Sequence, residues 1–282
     1  MEPDRPPIWV TGDAGLIGSE LVRVSPANFE ARGLKRAEID LLNFKSVEAL
    51  WRKEAPAAII HCAAMSRSVD CERNPELARR INVEATAHLV QLAGDIPFVF
   101  FSTDLVFDGA KGGYVETDRP NPLSFYAETK AAAEEIVRRN PRHCIVRISL
   151  TGGTSRTGDR GFNEEIKNAW RQGKALNLFT DEFRCPSAAA VIARAVWDLV
   201  AKSAVGTFHL CGAEKLSRYD IGRLLAEKHP ELEPKIVAGS RRDYKGPPRP
   251  PDTSLDCSKA QQFLSFQLPR FSDWLKQDQS GF

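Results

Sequence analysis

One stretch decides the fold of this 282-residue chain: residues 8–18 read IWVTGDAGLIG. Its first three residues are apolar, as expected for a short buried strand, and the residues after it favour a helix. Glycines at this spacing permit a tight turn, a close approach of backbone to a pyrophosphate, and close packing of helix on strand. The helix N-terminus then offers N–H groups and a positive dipole to phosphates. We therefore predict a dinucleotide-binding turn, made by Gly12, Gly15, Leu16, Ile17 and Gly18.

Strands and helices alternate along the rest of the chain. Further strands are predicted within residues 28–34, 39–41, 57–62, 98–101, 144–148 and 206–210. Helices are predicted at residues 45–53, 75–93, 126–137, 162–172, 218–228, 258–264 and 271–276, with another ending at 201. Apolar runs without alternation are typical of parallel strands that are covered on both faces. This order predicts an α/β fold, a Rossmann-type doubly wound parallel sheet.

Composition excludes several classes of function. A formal net charge of +2, without a block of Lys or Arg, does not indicate a nucleic-acid-binding protein. Residues 1–7 hold Asp4 and three prolines and lack the apolar core of a signal peptide, and no apolar run reaches the roughly 20 residues of a membrane span. Six scattered cysteines without a C-x-x-C pair predict reduced thiols in a cytoplasmic protein and no metal site.

The residues after the second strand bear on which dinucleotide is bound. A carboxylate there would suit the ribose 2′-hydroxyl of NAD(H), whereas an arginine would suit the 2′-phosphate of NADP(H). No carboxylate ends this strand, and Arg36 follows it, with Arg32 or Lys35 as helpers. We therefore expect NADP(H) to be preferred and NAD(H) to be the alternative, although a solvated basic turn would look the same.

Two further segments are expected to contact the cofactor. Asp40, within the short strand predicted at 39–41 and next to Leu41, would accept from the adenine amino group or cap a nearby helix. Ala63 and Ala64 end the strand at 57–62 with no side chain that would obstruct a cofactor. His61, one position before them in the strand region, is interpreted as a packed residue.

Polar residues follow the strand at 98–101, at the edge of the sheet where ligands bind in open α/β folds. They are Ser102, Thr103 and Asp104. Tyr126 and Lys130 lie four residues apart on the next helix and so share one face. An ammonium stabilises phenolate, so Tyr126 could exchange a proton with a substrate oxygen, with Thr103 bonded to the same oxygen. A surface helix gives the same spacing by chance, but the nucleotide turn makes a catalytic role the better interpretation.

Three more positions are singled out by their surroundings. Asn82 lies mid-helix, a poor place for asparagine unless its side chain bonds something specific. Arg184 would pair with a substrate phosphate or form a surface ion pair. The glycine-rich segment 152–161 is predicted to be a mobile loop, because it lacks the Gly-Lys-Ser/Thr ending of a second phosphate loop.

With these residues in view, the chain resembles the extended short-chain dehydrogenase/reductases, and within them the dTDP-4-dehydrorhamnose reductase family of sugar-nucleotide-binding proteins. The markers are residues 11–18, 61–64, 101–109, 114–122, 126, 130, 181–187 and 249–256. The run Ser-Thr-Asp-x-Val-Phe-Asp-Gly within 101–109 is the most specific. The resemblance covers nearly the full length of the chain.

The resemblance implies a nicotinamide-binding domain at residues 1–150 and a smaller C-terminal α/β substrate lobe at 151–282, with later segments returning to the first. It implies a catalytic triad of Thr103, Tyr126 and Lys130. Tyr126 would protonate a keto oxygen as hydride arrives, and Lys130 would hold the nicotinamide ribose. The substrate would be a nucleotide sugar, with four residues assigned to its binding: Ser66, Asp104, Leu150 and Arg184.

Two departures from the family pattern are visible. Tyr-Ala-Glu-Thr-Lys at 126–130 replaces the commoner Tyr-Gly-x-Ser-Lys and keeps both functional residues. Leu150 stands where the rhamnose-forming enzymes have a tryptophan against the deoxysugar, and an aliphatic side chain cannot offer the same stacking surface. The substrate is therefore a different nucleotide sugar, or not a sugar.

Three functions stay open from the sequence. The favoured one is an NADP(H)-dependent reductase of a nucleotide-linked keto sugar. The second is an epimerase or dehydratase of the same superfamily, which would keep its cofactor through turnover. The third is a non-catalytic regulator, since the family includes an NADP-binding regulatory subunit of methionine adenosyltransferase. Dimers are common in the superfamily, so the resemblance also allows a homodimer.

Overall fold

A six-stranded parallel sheet forms the centre of the protein, in the order β10-β5-β4-β3-β1-β2. The computed structural model describes residues 6–278 and 282. Residues 1–5 and 279–281 lie outside the described part. Most of the segment 1–7, for which no signal peptide is expected, is therefore not described. The strands are β1 (Ile8–Thr11), β2 (Ala31–Leu34), β3 (Ala58–His61), β4 (Phe98–Thr103), β5 (Cys144–Ile148) and β10 (Gly206–Leu210).

Helices cover both faces of this sheet. They are α1 (Leu16–Arg23), α2 (Phe44–Glu54), α3 (Ser68–Arg73), α4 (Pro75–Arg79), α5 (Ala85–Ala93), α6 (Phe125–Arg138), α7 (Phe162–Arg171), α8 (Ala189–Ala201), α9 (Arg218–Lys228), α10 (Ser258–Phe263) and α11 (Phe271–Gln277). Alternate strand residues enter two separate cores: Val10 and Ile60 pack with residues of α8, whereas Trp9 and Ile59 pack with Leu89 of α5. The doubly wound α/β sheet predicted from the sequence is confirmed.

Short strand pairs lie beyond the central sheet. Their strands are β6 (Thr151–Gly152), β7 (Leu176–Phe179), β8 (Phe183–Arg184), β9 (Ser187–Ala188), β11 (Leu216–Ser217) and β12 (Ile236–Gly239). β6 pairs with β9 and β7 with β12 in parallel, and β8 pairs with β11 antiparallel. Single bridges join Tyr114 to Leu255 and Phe183 to Asp252. The segment around 252–255 is thereby drawn towards the carboxyl end of β4.

One predicted element is wrong. Residues 39–41 are not a strand: the N–H groups of Glu38 and Ile39 both bond to the carbonyl of Lys35, so the chain turns before α2. The helix predicted at 75–93 is confirmed in its bounds, and it contains a π-helical turn at Arg80–Glu84 between α4 and α5. Local composition favours a helix throughout, and the tertiary contacts of Asn82, described below, decide the turn.

The glycine-rich segment 152–161 is tied to one side chain. Glu164, in the first turn of α7, accepts hydrogen bonds from the N–H groups of Ser155, Arg160 and Gly161 and from the Ser155 hydroxyl, at 2.7–2.9 Å. The segment predicted to be mobile is therefore held in a defined loop.

All six cysteines are free thiols. Within residues 6–278, no helix has the length and apolar character needed to cross a membrane. The described residues also contain no group of three His, Cys, Asp or Glu side chains arranged to hold a metal ion.

Candidate active site

The glycine turn between β1 and α1 fits closely against β3. Gly12 has a φ of +74°, and a Cβ added there would lie 2.9 Å from the nitrogen of Ala63. A Cβ on Gly18 would collide with the carbonyl oxygen of Gly12. Only glycine fits both places, so the turn presents bare backbone at the N-terminus of α1, where the half-buried Leu16 and Ile17 begin the helix. Such a surface suits a pyrophosphate.

Side chains beneath the turn hold it to β3. The hydroxyl of Thr11 accepts from the N–H groups of Cys62 and Ala63 at 3.2 and 3.1 Å. His61 lies between Thr11 and Thr86, with its ring nitrogens 2.7 and 3.0 Å from their hydroxyl oxygens. Burial lowers the pKa of His61 to about 3, so the ring is neutral at physiological pH. The interpretation of His61 as a packed residue is confirmed.

The residues after β2 are placed at the rim of the same edge. Arg36 is exposed. Arg32, its predicted helper, is engaged by Glu38 at 3.1 Å and Glu54 at 3.6 Å. Asp40 accepts from the N–H of Leu42 at 3.0 Å. The alternative role of Asp40 as a helix cap is wrong, because Asn43 caps α2, and Leu41 packs against the core that contains Trp9.

Tyr126 lies in the first turn of α6 and is 8% exposed. Its side chain lies close to that of Thr103 at the end of β4. Burial and then the negative charge of Asp104 raise the pKa of the phenol well above its usual value of 10. The expected lowering of this pKa is therefore wrong for this structure. Tyr126 remains a protonated phenol at neutral pH, which is the state that a proton donor requires.

Lys130 follows one turn later on the same face of α6 and is 3% exposed. Its Nζ lies 4.0 Å from the centre of the Phe100 ring. Burial lowers the pKa of Lys130 from 10.5 to about 7, although the nearby carboxylate of Glu134 opposes the shift. The ammonium is thus held in an apolar setting, where it gains or loses its proton near neutral pH.

Asp104 is the centre of a buried network of charges. Its two oxygens both accept from Nη1 of Arg184 at 2.8 Å. They also accept from the hydroxyls of Ser149 and Thr253, at 2.7 and 3.0 Å. The proposed substrate residues Asp104 and Arg184 are therefore bonded to one another, and the surface ion pair considered for Arg184 is a buried one.

Further arginines extend this network into the C-terminal half. Glu182 is fully buried and accepts from Arg184 at 3.4 Å and from Arg249 at 2.5 Å. Arg218, the first residue of α9, is also attracted by the negative charge of Glu182. We name Asp104, Glu182, Arg184, Arg218 and Arg249 the ion cluster: two carboxylates face three guanidinium groups, so it carries a net positive charge.

Most members of the ion cluster were missed at the level of sequence. Glu182 and Arg249 lie inside the family-like segments 181–187 and 249–256, which was the available signal. The cluster joins residues from four distant parts of the chain, and no local spacing records such a contact. Ser149 and Thr253 were missed for the same reason.

Asn82 links the loop after β3 to α6. Its Oδ1 accepts from the N–H of Met65 at 2.8 Å, and its Nδ2 donates to the Met65 carbonyl and to the Thr129 hydroxyl at 3.1 and 3.0 Å. Thr129 in turn donates to the carbonyl of Tyr126 at 2.7 Å. The expectation of a specific bonding role for Asn82 is confirmed. π-turns often occur at functional sites.

The segment 153–161 contacts both the glycine turn and the loop after β3. Arg156 reaches Asp13 of the glycine turn at 3.3 Å, and Arg67 of the loop after β3 reaches Asp159 at 3.5 Å. Ser66 is exposed beside Arg67. Leu150, which precedes this segment, is half-buried and packs on the core that contains Val10.

Comparisons with known proteins agree over the length of the chain. Residues 6–278 match the family model described as the RmlD substrate binding domain. The chain is 31% identical to the probable low-salt glycan biosynthesis reductase Agl14 of Haloferax volcanii, with 97% of each chain covered. It is 27% identical to methionine adenosyltransferase 2 subunit beta of Bos taurus, with 89% of this chain and 80% of that protein covered.

A solved structure shares the fold. The crystal structure of a hypothetical dTDP-4-dehydrorhamnose reductase from Sulfolobus tokodaii superposes with a TM-score of 0.86 at 30% identity, over 95% of this chain and 98% of that one. The two chains therefore share one arrangement of strands and helices over almost their whole length.

Proposed function

The chain belongs to the RmlD substrate binding domain family, and we propose that it is a nicotinamide-dependent reductase of a keto group on a nucleotide-linked sugar. One observation carries the proposal: Tyr126 and Lys130 lie buried on one face of α6, close to Thr103 at the end of β4. When bound, the nicotinamide supplies hydride. The residues that would hold the dinucleotide are Gly12, Gly15, Leu16, Ile17, Gly18, Arg36, Asp40, Leu41, Ala63, Ala64, Tyr126 and Lys130.

The roles of the catalytic residues follow from their chemistry. The O–H of Thr103 donates to Asp104 at 3.2 Å; turned towards a carbonyl oxygen it would orient that oxygen, and Tyr126 would protonate it. The raised pKa of Tyr126 keeps its proton in place until the oxygen gains negative charge. Lys130, with a pKa of about 7, holds a proton that can replace the one given up.

The charge of the ion cluster supports an anionic substrate. A nucleotide sugar carries a diphosphate, and arginine forks match phosphate oxygens. Arg184 and Arg249 are held in position by Glu182, so part of the cost of ordering them is met before the ligand arrives. We propose that residues 151–282 form the substrate lobe, with Ser66, Asp104 and Leu150 at its boundary with residues 1–150.

The decisive experiment offers the purified protein a panel of dTDP- and UDP-linked keto sugars, with NADH or NADPH followed by absorbance. Oxidation of the cofactor with one of them is expected. Because Leu150 lacks the stacking surface of a tryptophan, dTDP-4-keto-rhamnose should be a poor substrate. Rapid turnover of that compound, at roughly 1–1,000 per second, would contradict the assignment of Leu150.

The alternatives give different outcomes in the same assay. An epimerase or dehydratase would convert the sugar with no net oxidation and would retain its dinucleotide during purification. A regulator would bind dinucleotide and turn over nothing, and the similarity to methionine adenosyltransferase 2 subunit beta makes this the second candidate. A cytoplasmic location, which the free cysteines favour, and a homodimer stay predictions.

A further inference from the structure

Asp13, inside the glycine turn, brings a carboxylate to the end of β2. A Cβ added to Gly33 would lie 2.6 Å from Cγ of Asp13, so this side chain rests directly on the main chain of β2. The Asp13 side chain is only 3% exposed. The carboxylate that the residues after β2 do not provide is therefore supplied from the turn between β1 and α1.

That position has a known chemical use in dinucleotide folds. A carboxylate at the end of the second strand accepts from the ribose 2′-hydroxyl of NAD(H), whereas a basic residue accommodates the 2′-phosphate of NADP(H). Spacing along the sequence directs the search to residues after β2, and Asp13 precedes β2 by eighteen residues (31 − 13). Only the contact with Gly33 places Asp13 at this point.

We propose that Asp13 accepts a hydrogen bond from the adenosine ribose 2′-hydroxyl of NAD(H). Its negative charge disfavours the 2′-phosphate of NADP(H), so the site selects NAD(H). This inference rests on the proposed function, because it takes the ligand of the glycine turn to be a nicotinamide dinucleotide. It opposes the expectation drawn from Arg36.

The charges around Asp13 favour a hydroxyl over a phosphate. Lys35 approaches one carboxylate oxygen at 3.8 Å and Arg156 approaches the other at 3.3 Å. Two carboxylate oxygens offer about four acceptor positions, so a hydroxyl can be added with both cations in place. A 2′-phosphate would instead lie beside a buried carboxylate of the same sign, and like charges at this distance are unfavourable.

The basic residues nearby are already committed. Arg32 donates to the Gly33 carbonyl at 2.9 Å and pairs with Glu38 and Glu54. Lys35 and Arg156 already neutralise Asp13, so a phosphate would have to share their charge with a carboxylate of its own sign. Arg36 is exposed at the rim, where water screens its charge.

The test measures binding to the adenosine half alone, which needs no activity. Titration calorimetry of the full chain with ADP-ribose and with 2′-phospho-ADP-ribose gives the ratio of the two dissociation constants, and NADH and NADPH repeat the comparison. The unmodified protein should bind the unphosphorylated ligand more tightly. Asp13→Asn and Asp13→Ala should shift the ratio by at least about 10-fold in favour of 2′-phospho-ADP-ribose. ADP-ribose loses a hydrogen bond to a charged acceptor, and the phosphorylated ligand is no longer repelled by a carboxylate.

Asp159→Ala is the matched control. Asp159 lies in the same loop as Arg156 but pairs with Arg67 and not with the residues around Gly33. Its replacement should leave the ratio of the two dissociation constants unchanged. Circular dichroism confirms that each variant is folded, and Asp13→Asn keeps the size of the side chain if the alanine variant unfolds.

Three results would overturn the inference. The first is tighter binding of the phosphorylated ligand than of the unphosphorylated one by the unmodified protein. The second is a ratio of dissociation constants that stays unchanged in Asp13→Asn. An Arg36→Ala loss confined to the phosphorylated ligand, in a protein that prefers it, would transfer the selection to Arg36. If a folded protein binds none of the four ligands, the proposed function fails as well, which separates that failure from a wrong assignment of Asp13.

Discussion

The glycine turn and the ion cluster lie at the same edge of the central sheet but are built from different materials. The turn is main chain: Gly12 and Gly18 leave no room for a side chain, and its closest contacts are with backbone atoms. The ion cluster is almost wholly charged side chains, with Asp104 and Arg184 bonded at 2.8 Å. One region is shaped by close backbone contacts and the other by charges that are buried beside opposite charges.

This difference teaches where each region is vulnerable. The backbone amides of Gly12 and Gly18 have fixed dipoles and do not titrate, so an added methyl group is the change that harms this part of the turn. A buried network tolerates little change of charge, because each member left without its partner bears the cost of its own burial. The following predictions test this contrast.

The largest expected effect is on turnover, and it comes from a change at Tyr126, which belongs to neither region. Tyr126→Phe keeps the ring and removes the proton donor, so turnover should fall by about 10²–10⁴-fold with folding and dinucleotide affinity nearly intact. Steady-state kinetics and a dinucleotide titration measure both. Tyr114→Phe is the control, since its hydroxyl bonds Asp108 at 2.6 Å and should affect stability more than turnover. Near-normal turnover by Tyr126→Phe would mean that another group supplies the proton.

Removing a charge from the ion cluster should have the next largest effect. Arg184→Met leaves Asp104 buried without its cation and should lower the free energy of unfolding by about 3–5 kcal/mol in urea denaturation. Arg156→Met, on the nucleotide side, removes a half-exposed partner of Asp13 and should cost less than about 1 kcal/mol. Equal losses in the two variants would erase the contrast between the regions.

An added methyl group should instead harm the glycine turn. Gly18→Ala forces a Cβ against the Gly12 carbonyl, and overpacking of this kind costs about 1–3 kcal/mol. Dinucleotide binding should weaken with it. Gly15→Ala, whose Cβ would lie 3.1 Å from the same oxygen, should be milder in both thermal unfolding and titration. If Gly15→Ala proves the more harmful, close packing of the helix start is not what the third glycine provides.

The last expected effect depends on pH and concerns Lys130, a charge outside the ion cluster. Its pKa is lowered to about 7 in the folded protein, whereas the unfolded chain holds the proton up to about pH 10. Burial of the ammonium is therefore most costly below pH 7, and stability should rise between those values by up to about 1.4 kcal/mol per pH unit.

Lys130→Met should flatten that dependence, because methionine has no proton to lose. Urea denaturation of both proteins across this pH range gives the comparison. Parallel curves for the two proteins would show that Lys130 keeps its charge when buried.

The contrast between the regions also explains what could be predicted from the sequence. The strand and glycines of residues 8–18 are contiguous, so local patterns were enough for the sheet, the turn and the position of Tyr126 on its helix. Residues 39–41 have the composition of a strand but turn back through bonds to Lys35, and composition does not record that contact. The partners of Asp104 come from residues 149, 184 and 253, which only the completed fold brings together.

The π-turn at Arg80–Glu84 has a consequence for length variation in the gene. A π-turn contains one residue more than the α-helical turn that it replaces, so deleting a single codon there would restore a continuous helix while α4 and α5 kept their packing faces. Asn82 would then lose its aim at Met65 and Thr129. The chain would still assemble its sheet, but the support behind Tyr126 would be gone. The extra residue of the π-turn therefore supports the position of α6.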